Sequence, residues 1–100
     1  MKYVLSRAAS EDVRAITEWI AKDNPARSVS FARELLMCCR KLTTASERYP
    51  IIRADVTPPV RRRNYRRYAI CYTVLRNHIH VIAVVHGARD VMSVIEERLD

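Results

Sequence analysis

Two apolar stretches with a period of two lie back to back in the second half of the chain. In residues 68–75, Tyr68, Ile70, Tyr72 and Val74 fall on one side, and Ala69, Cys71, Thr73 and Leu75 on the other. Alternation marks a β-strand, and apolar residues on both sides mark a central one. Residues 79–86 repeat the pattern, with Ile79, Val81, Ala83 and Val85 against His80, Ile82, Val84 and His86. Between them Arg76, Asn77 and His78 form a turn, in which Asn77 tolerates left-handed backbone. A central antiparallel hairpin therefore organises the fold.

The first half has a different period. Residues 3–5 read as a short strand of β-formers. Ser6 or Ser10 then caps a helix, with Glu11 and Asp12 near its N-terminus, where the macrodipole favours acids. Ala9, Val13, Ile16 and Ile20 recur at helical spacing and define one face, with Trp19 at its edge. Asp23, Asn24 and Pro25 interrupt it, Asn24 as a cap and Pro25 as the first residue of a second helix. That helix spans residues 25–45, with Phe31, Leu35, Cys38 or Cys39, Leu42 and Ala45 as its apolar positions. Arg27, Arg33, Arg40 and Lys41 face away from them, and Pro50 closes the segment. Residues 51–59 read as a loop, 60–63 as a short strand, and Asn64, Tyr65 and Arg66 as its turn. Gly87 punctuates the last strand. Asp90 caps a final helix whose apolar residues are Val91, Met92, Val94, Ile95 and Leu99.

The order is β-α-α-β-β-β-α, which excludes a parallel sheet with alternating crossovers. The fold class is α+β: an N-terminal strand, an antiparallel helical hairpin packed on a small antiparallel β-sheet, and a short C-terminal helix. With 100 residues and 49% hydrophobic content, one domain over residues 1–100 is expected. A single glycine excludes a Walker loop and a dinucleotide fingerprint, both of which need several glycines to bring backbone amides against phosphate. Three cysteines, two of them adjacent, do not make a disulfide framework and read as small buried residues of a reduced protein. No signal peptide and no run of about 18 apolar residues is present, so a cytoplasmic protein without a membrane partner is expected.

Charge is concentrated. Lys and Arg total 18 against 11 Asp and Glu, a net of +7. Between Arg53 and Arg76 stand seven arginines and one acid, Asp55. Within that stretch Arg61, Arg62, Arg63, Arg66 and Arg67 are interleaved or flanked by Tyr65, Tyr68 and Tyr72. Three readings fit. Guanidinium forks beside aromatic rings are the ingredients of nucleic-acid contact. Charge on an edge strand blocks edge-to-edge pairing. A basic patch also docks an acidic peptide. No Gly-x-Ser-x-Gly elbow supports a catalytic triad. His78, His80 and His86 are separated by even numbers and so are expected on one strand face. No cysteine or paired acid completes a zinc set, and no metal site is expected.

The opening Tyr3, Val4, Leu5 and Ser6, with Ala9 and Asp12, resembles the start of the RelE/ParE toxin superfamily: short strand, serine, then a helix with an acid after its first turn. The second half resembles it more closely, through residues 67–74, the following turn, residues 79–85, and His86, Gly87, Ala88, Arg89 and Asp90. That last segment is similar to the ParE ending His-Gly-x-Arg. The resemblance covers essentially the whole chain and rests on the order and spacing of these fragments.

It implies the toxin of a type II toxin–antitoxin module. The partner would be a ParD-like antitoxin with an acidic or amphipathic C-terminal segment, and operator DNA would be bound only through that antitoxin. RelE-like members are ribosome-dependent mRNA endonucleases that use basic residues and often a C-terminal tyrosine. ParE-like members poison DNA gyrase without a nuclease site. Arg89 occupies the basic position after the final strand. The place of the nucleases' central-strand arginine holds Ala69, and that of the C-terminal tyrosine holds Ile95. Alanine cannot stabilise developing phosphoryl charge, and isoleucine cannot donate a proton. The resemblance therefore implies a ParE-like gyrase inhibitor with no catalytic residue and no cofactor. Its binding residues would be Arg61, Arg62, Arg63, Arg66, Arg67 and Arg89. A RelE-like endonuclease and a non-toxic binding relic are the alternatives.

Overall fold

A computed structural model of the chain describes residues 1–99. In chain order the elements are β1 (Lys2–Leu5), α1 (Arg7–Ala21), α2 (Pro25–Lys41), a 3-10 turn (Leu42–Thr44), β2 (Ile51–Arg53), β3 (Val60–Tyr65), β4 (Tyr68–Val74), β5 (His78–His86) and α3 (Val91–Leu99). The caps are local chemistry. Ser6 Oγ accepts from the Ala9 amide at 3.0 Å, which settles the start of α1. Asn24 Oδ1 accepts from the Arg27 amide at 3.0 Å, and Pro25 supplies the first helical residue of α2. Asp90 Oδ1 accepts from the Ser93 amide at 3.2 Å ahead of α3. Ser28 Oγ donates to the Thr17 carbonyl at 2.7 Å and ties the two long helices together.

The sheet order is β1-β5-β4-β3-β2. The α+β class and the helical hairpin stand as the sequence implies. Two details differ. β1 lies parallel to β5, Lys2 opposite His78 through Leu5 opposite Val81, so the sheet is mixed. The stretch expected to be a loop contains β2, which pairs with β3 through Ile51 opposite Arg61 and forms the far edge. β3 also runs further than expected. Asn64 pairs with Ala69 and Tyr65 with Tyr68, leaving Arg66 and Arg67 as the turn. Arg66 there has φ of 52°, left-handed backbone in a non-glycine residue.

β4 and β5 are covered on both faces. The α1/α2 side buries Ala9, Phe31, Leu35, Cys39, Leu42, Ile70, Tyr72, Ile79, Val81 and Val84. The other side buries Val60, Ala69, Cys71, Ile82, Ala83, Val85, Val91, Val94 and Ile95 beneath α3. A bulge makes both sets possible: Cys71 pairs with Ala83 but Tyr72 pairs with Val81, so Ile82 is the extra residue. The bulge inverts the alternation beyond it. His78 and His80 sit together on the α3 face, their rings 6.1 Å apart. His86 emerges on the α1/α2 face, its ring 5.3 Å from that of Tyr68. The expected single face of three histidines is thereby overturned, because even spacing means a common face only along an unbroken ladder. Among the described residues no cluster of His, Cys, Asp or Glu has the arrangement to hold a metal ion.

Candidate functional site

The arginine run divides by strand parity. Arg61, Arg63 and Tyr65 stand opposite Tyr72, Ile70 and Tyr68 and share the α1/α2 face, whereas Arg62 and Asn64 point to the other. Arg61 Nη1 donates to the carbonyls of Glu47 at 3.0 Å and Tyr49 at 2.8 Å. Arg63 Nη1 donates to the Cys38 carbonyl at 3.0 Å, and its guanidinium lies 5.2 Å from the Tyr49 ring centroid. These two arginines fasten β3 to the last turns of α2 and the segment after it.

Arg66 joins a cluster at the β3–β4 tip. Glu34 of α2 accepts from Arg27 Nη1 at 2.7 Å and from the Tyr65 hydroxyl. Arg66 Nε donates to that hydroxyl at 3.1 Å and stands 3.8 Å from Glu34. The Arg27 hydrogen bond, then that of Tyr65, holds the Glu34 carboxyl down from its ordinary 4.5 to about 2.

The tyrosines serve the interior. Tyr72 is fully buried and its hydroxyl donates to the Ser46 carbonyl at 2.8 Å. Burial pushes that hydroxyl up to about 12. Tyr68 packs edge-on against Phe31 at 5.3 Å and Tyr65 lies 5.8 Å from the same ring.

Three concave surfaces result. A notch of about 280 Å³ at the β3–β4 turn is lined by Arg62, Asn64, Arg66, Arg67, His86 and Gly87 among others. A groove of about 530 Å³ runs between α1 and the end of β5, lined by Ala15, Ile16, Trp19, Val84, His86 and Arg89. Trp19 there is 67% exposed, with Lys22 Nζ 5.2 Å from its ring. A third groove, about 420 Å³, lies along α2 beside Arg33, Met37, Lys41, Arg63 and Tyr65. On α2, Val29, Arg33, Met37 and Lys41 are all exposed and follow one another at steps of four, an apolar and basic stripe beside this groove. The sequence places Arg89 in the basic set, but it opens into the α1 groove, apart from Arg61 and Arg63. The Val29–Met37 stripe is absent from the sequence reading, which sought core positions on α2. The one cue was that Val29 and Met37 lie off the Phe31, Leu35, Leu42 series.

Asp12 and Arg98 also escape the sequence reading. Helix α1 begins at Arg7, so Asp12 lies in its second turn and does not face the helix dipole terminus. β1 ends opposite Val81, so from Ile82 onward the outer edge of β5 has no strand beside it. Asp12 Oδ2 accepts from the Val84 amide at 2.9 Å, and Arg98 Nη1 donates to the Ile82 carbonyl at 2.8 Å. The two side chains pair through both carboxylate oxygens at 2.9 Å. One ion pair thus satisfies the edge at the bulge and clamps α1 to α3 around it.

The positions that distinguish a nuclease are closed. Ala69 and Ile95 are both fully buried in the core under α3. Burial raises the thiols of Cys39 to about 12 and Cys71 to about 11, so neither is a nucleophile at neutral pH.

Comparison with known proteins agrees with this architecture. Residues 3–91 match the family model of the ParE toxin of type II toxin–antitoxin system, parDE. A chain from the solved chromosomal ParDE TA system of P. aeruginosa superposes with a TM-score of 0.71 at 16% identity, covering 86% of this chain and 95% of that one. No curated protein matches significantly in sequence. The match over residues 3–91 places the chain in the ParE toxin family of type II toxin–antitoxin systems.

Proposed function

We propose that this toxin arrests growth by poisoning DNA gyrase, without cutting RNA, and is neutralised by a ParD-like antitoxin. The observation that carries the non-nuclease half is the apolar seal: Ala69 and Ile95 meet in one buried cluster, where a nuclease would expose a cation and a proton donor. Reaching RNA from that face would require α3 to leave the sheet. The gyrase half rests on the ParE-like character of the chain.

The antitoxin docks along α2. An amphipathic acidic helix matches the Val29, Arg33, Met37 and Lys41 stripe in both respects, with apolar residues on Met37 and carboxylates on Arg33 and Lys41. The net charge of +7 draws such a segment in from a distance. The test gives purified toxin both substrates. Gyrase should lose supercoiling activity, and ribosome-bound message should remain intact. Message cut in the ribosomal A site, with gyrase unaffected, would reject the reading.

A further inference from the structure

The notch at the β3–β4 turn is built from donors. Arg62 Nε donates to Asn64 Oδ1 at 2.8 Å, which fixes the guanidinium and leaves both its terminal nitrogens open. That bond also occupies the Asn64 acceptor, so its amide nitrogen is what remains to offer. His86 Nδ1 accepts from the Ala88 amide at 3.1 Å, so the ring's proton sits on Nε2, a further donor. Among the described residues Arg67 has no side-chain hydrogen bond or ion pair, and no carboxylate lines the notch. Gly87 keeps the space open. Its amide donates to the Arg67 carbonyl at 2.7 Å, and a Cβ there would stand 3.3 Å from that oxygen and 3.5 Å from Arg62 Nη2.

We propose that this notch binds a backbone phosphate of duplex DNA. Guanidiniums from a strand and from a turn approach one point from different directions, which suits a tetrahedral oxyanion better than the flat pair of oxygens of a carboxylate. Duplex is favoured over single strand because single-strand sites need free aromatic platforms. Tyr65, Tyr68 and Tyr72 are instead held by Glu34, Phe31 and the core. The contact is a positioning one, without base recognition. It is independent of the gyrase reading, since the toxin alone should show it.

The test is nitrogen-15 NMR of the full chain at low salt, following arginine Nε–H and backbone signals. Inorganic phosphate should give saturable shifts at Arg62, Arg67 and Gly87, with Arg76, at the opposite end of β4, unmoved. A short duplex should shift the same signals at lower concentration, and a single strand of equal length should bind more weakly. Arg67→Gln, whose side chain holds nothing in the fold, should weaken duplex binding severalfold and lower the salt slope by about one. Arg76→Gln should leave both unchanged. Shifts spread over all arginines without saturation would mean a diffuse ion atmosphere and overturn the site. Acetate competing as well as phosphate would make it a carboxylate dock, and a single strand binding as tightly as the duplex would remove the DNA assignment.

Discussion

At the scale of single residues, charge in this chain is used mainly to hold backbone. Asp12 and Arg98 satisfy a carbonyl and an amide that a bulged, unpaired edge would leave to solvent. Their side chains are only 18% and 22% exposed, so breaking the pair strands a largely desolvated charge. Asp12→Ala should cost roughly 2–4 kcal/mol in urea unfolding. A double-mutant cycle with Arg98→Ala should show positive coupling, and strictly additive losses would refute the clamp. Arg66 carries left-handed backbone that a Cβ disfavours. Arg66→Gly should therefore raise stability by about 0.5–1 kcal/mol, the relief of strain exceeding the added chain entropy. Glu34 gives a pH signature. Its folded value is lowered from 4.5 to about 2, so its contribution is complete above the ordinary value and is lost as pH falls towards 2. Glu34→Gln should flatten the acid limb of the stability curve in that window, with little change at neutral pH.

At the scale of elements, two helices and the central hairpin were legible in the sequence because each keeps one period over many residues. The Ala9, Val13, Ile16 and Ile20 stripe does pack against the hairpin core. What the sequence hid has a physical cause in each case. β2 has three residues and pairs through a register shift, too short for alternation to register. The bulge at Ile82 is invisible in a run where every residue is apolar on either side, and it sends His86 to the face opposite His80. The arginine run looks like one patch in a string of letters, and strand parity distributes it over two faces. Leu35 sits at the centre of the α2 contact and is fully buried. Leu35→Ala should lower stability by about 2–5 kcal/mol, read from denaturant unfolding. Arg33→Glu with Lys41→Glu changes only exposed positions on the same helix. The pair should leave unfolding nearly unchanged while slowing antitoxin association and weakening its salt dependence. Unaltered association would move the antitoxin off α2.

At the scale of the molecule, one sheet separates three tasks. Its α1/α2 face carries the main core and, on the outer side of α2, the stripe suited to an acidic partner. Its other face is closed by α3 over Ala69 and Ile95, and this closure is the reason for placing the chain apart from RNA-cutting relatives of the same shape. The end of the sheet, where Arg67 meets Gly87, is left open and cationic. The sequence could name Ala69 and Ile95 as misfits for nuclease chemistry, but only the packing places both behind one helix. The central claim is that the toxin acts on gyrase. Its most direct measurement is the gyrase cleavage reaction on plasmid DNA with increasing purified toxin, stopped with denaturant and read for protein-linked broken DNA. The account predicts that broken DNA accumulates with toxin as supercoiling falls, and that equimolar antitoxin abolishes both effects. Undiminished supercoiling with no trapped breaks at saturating toxin would contradict it.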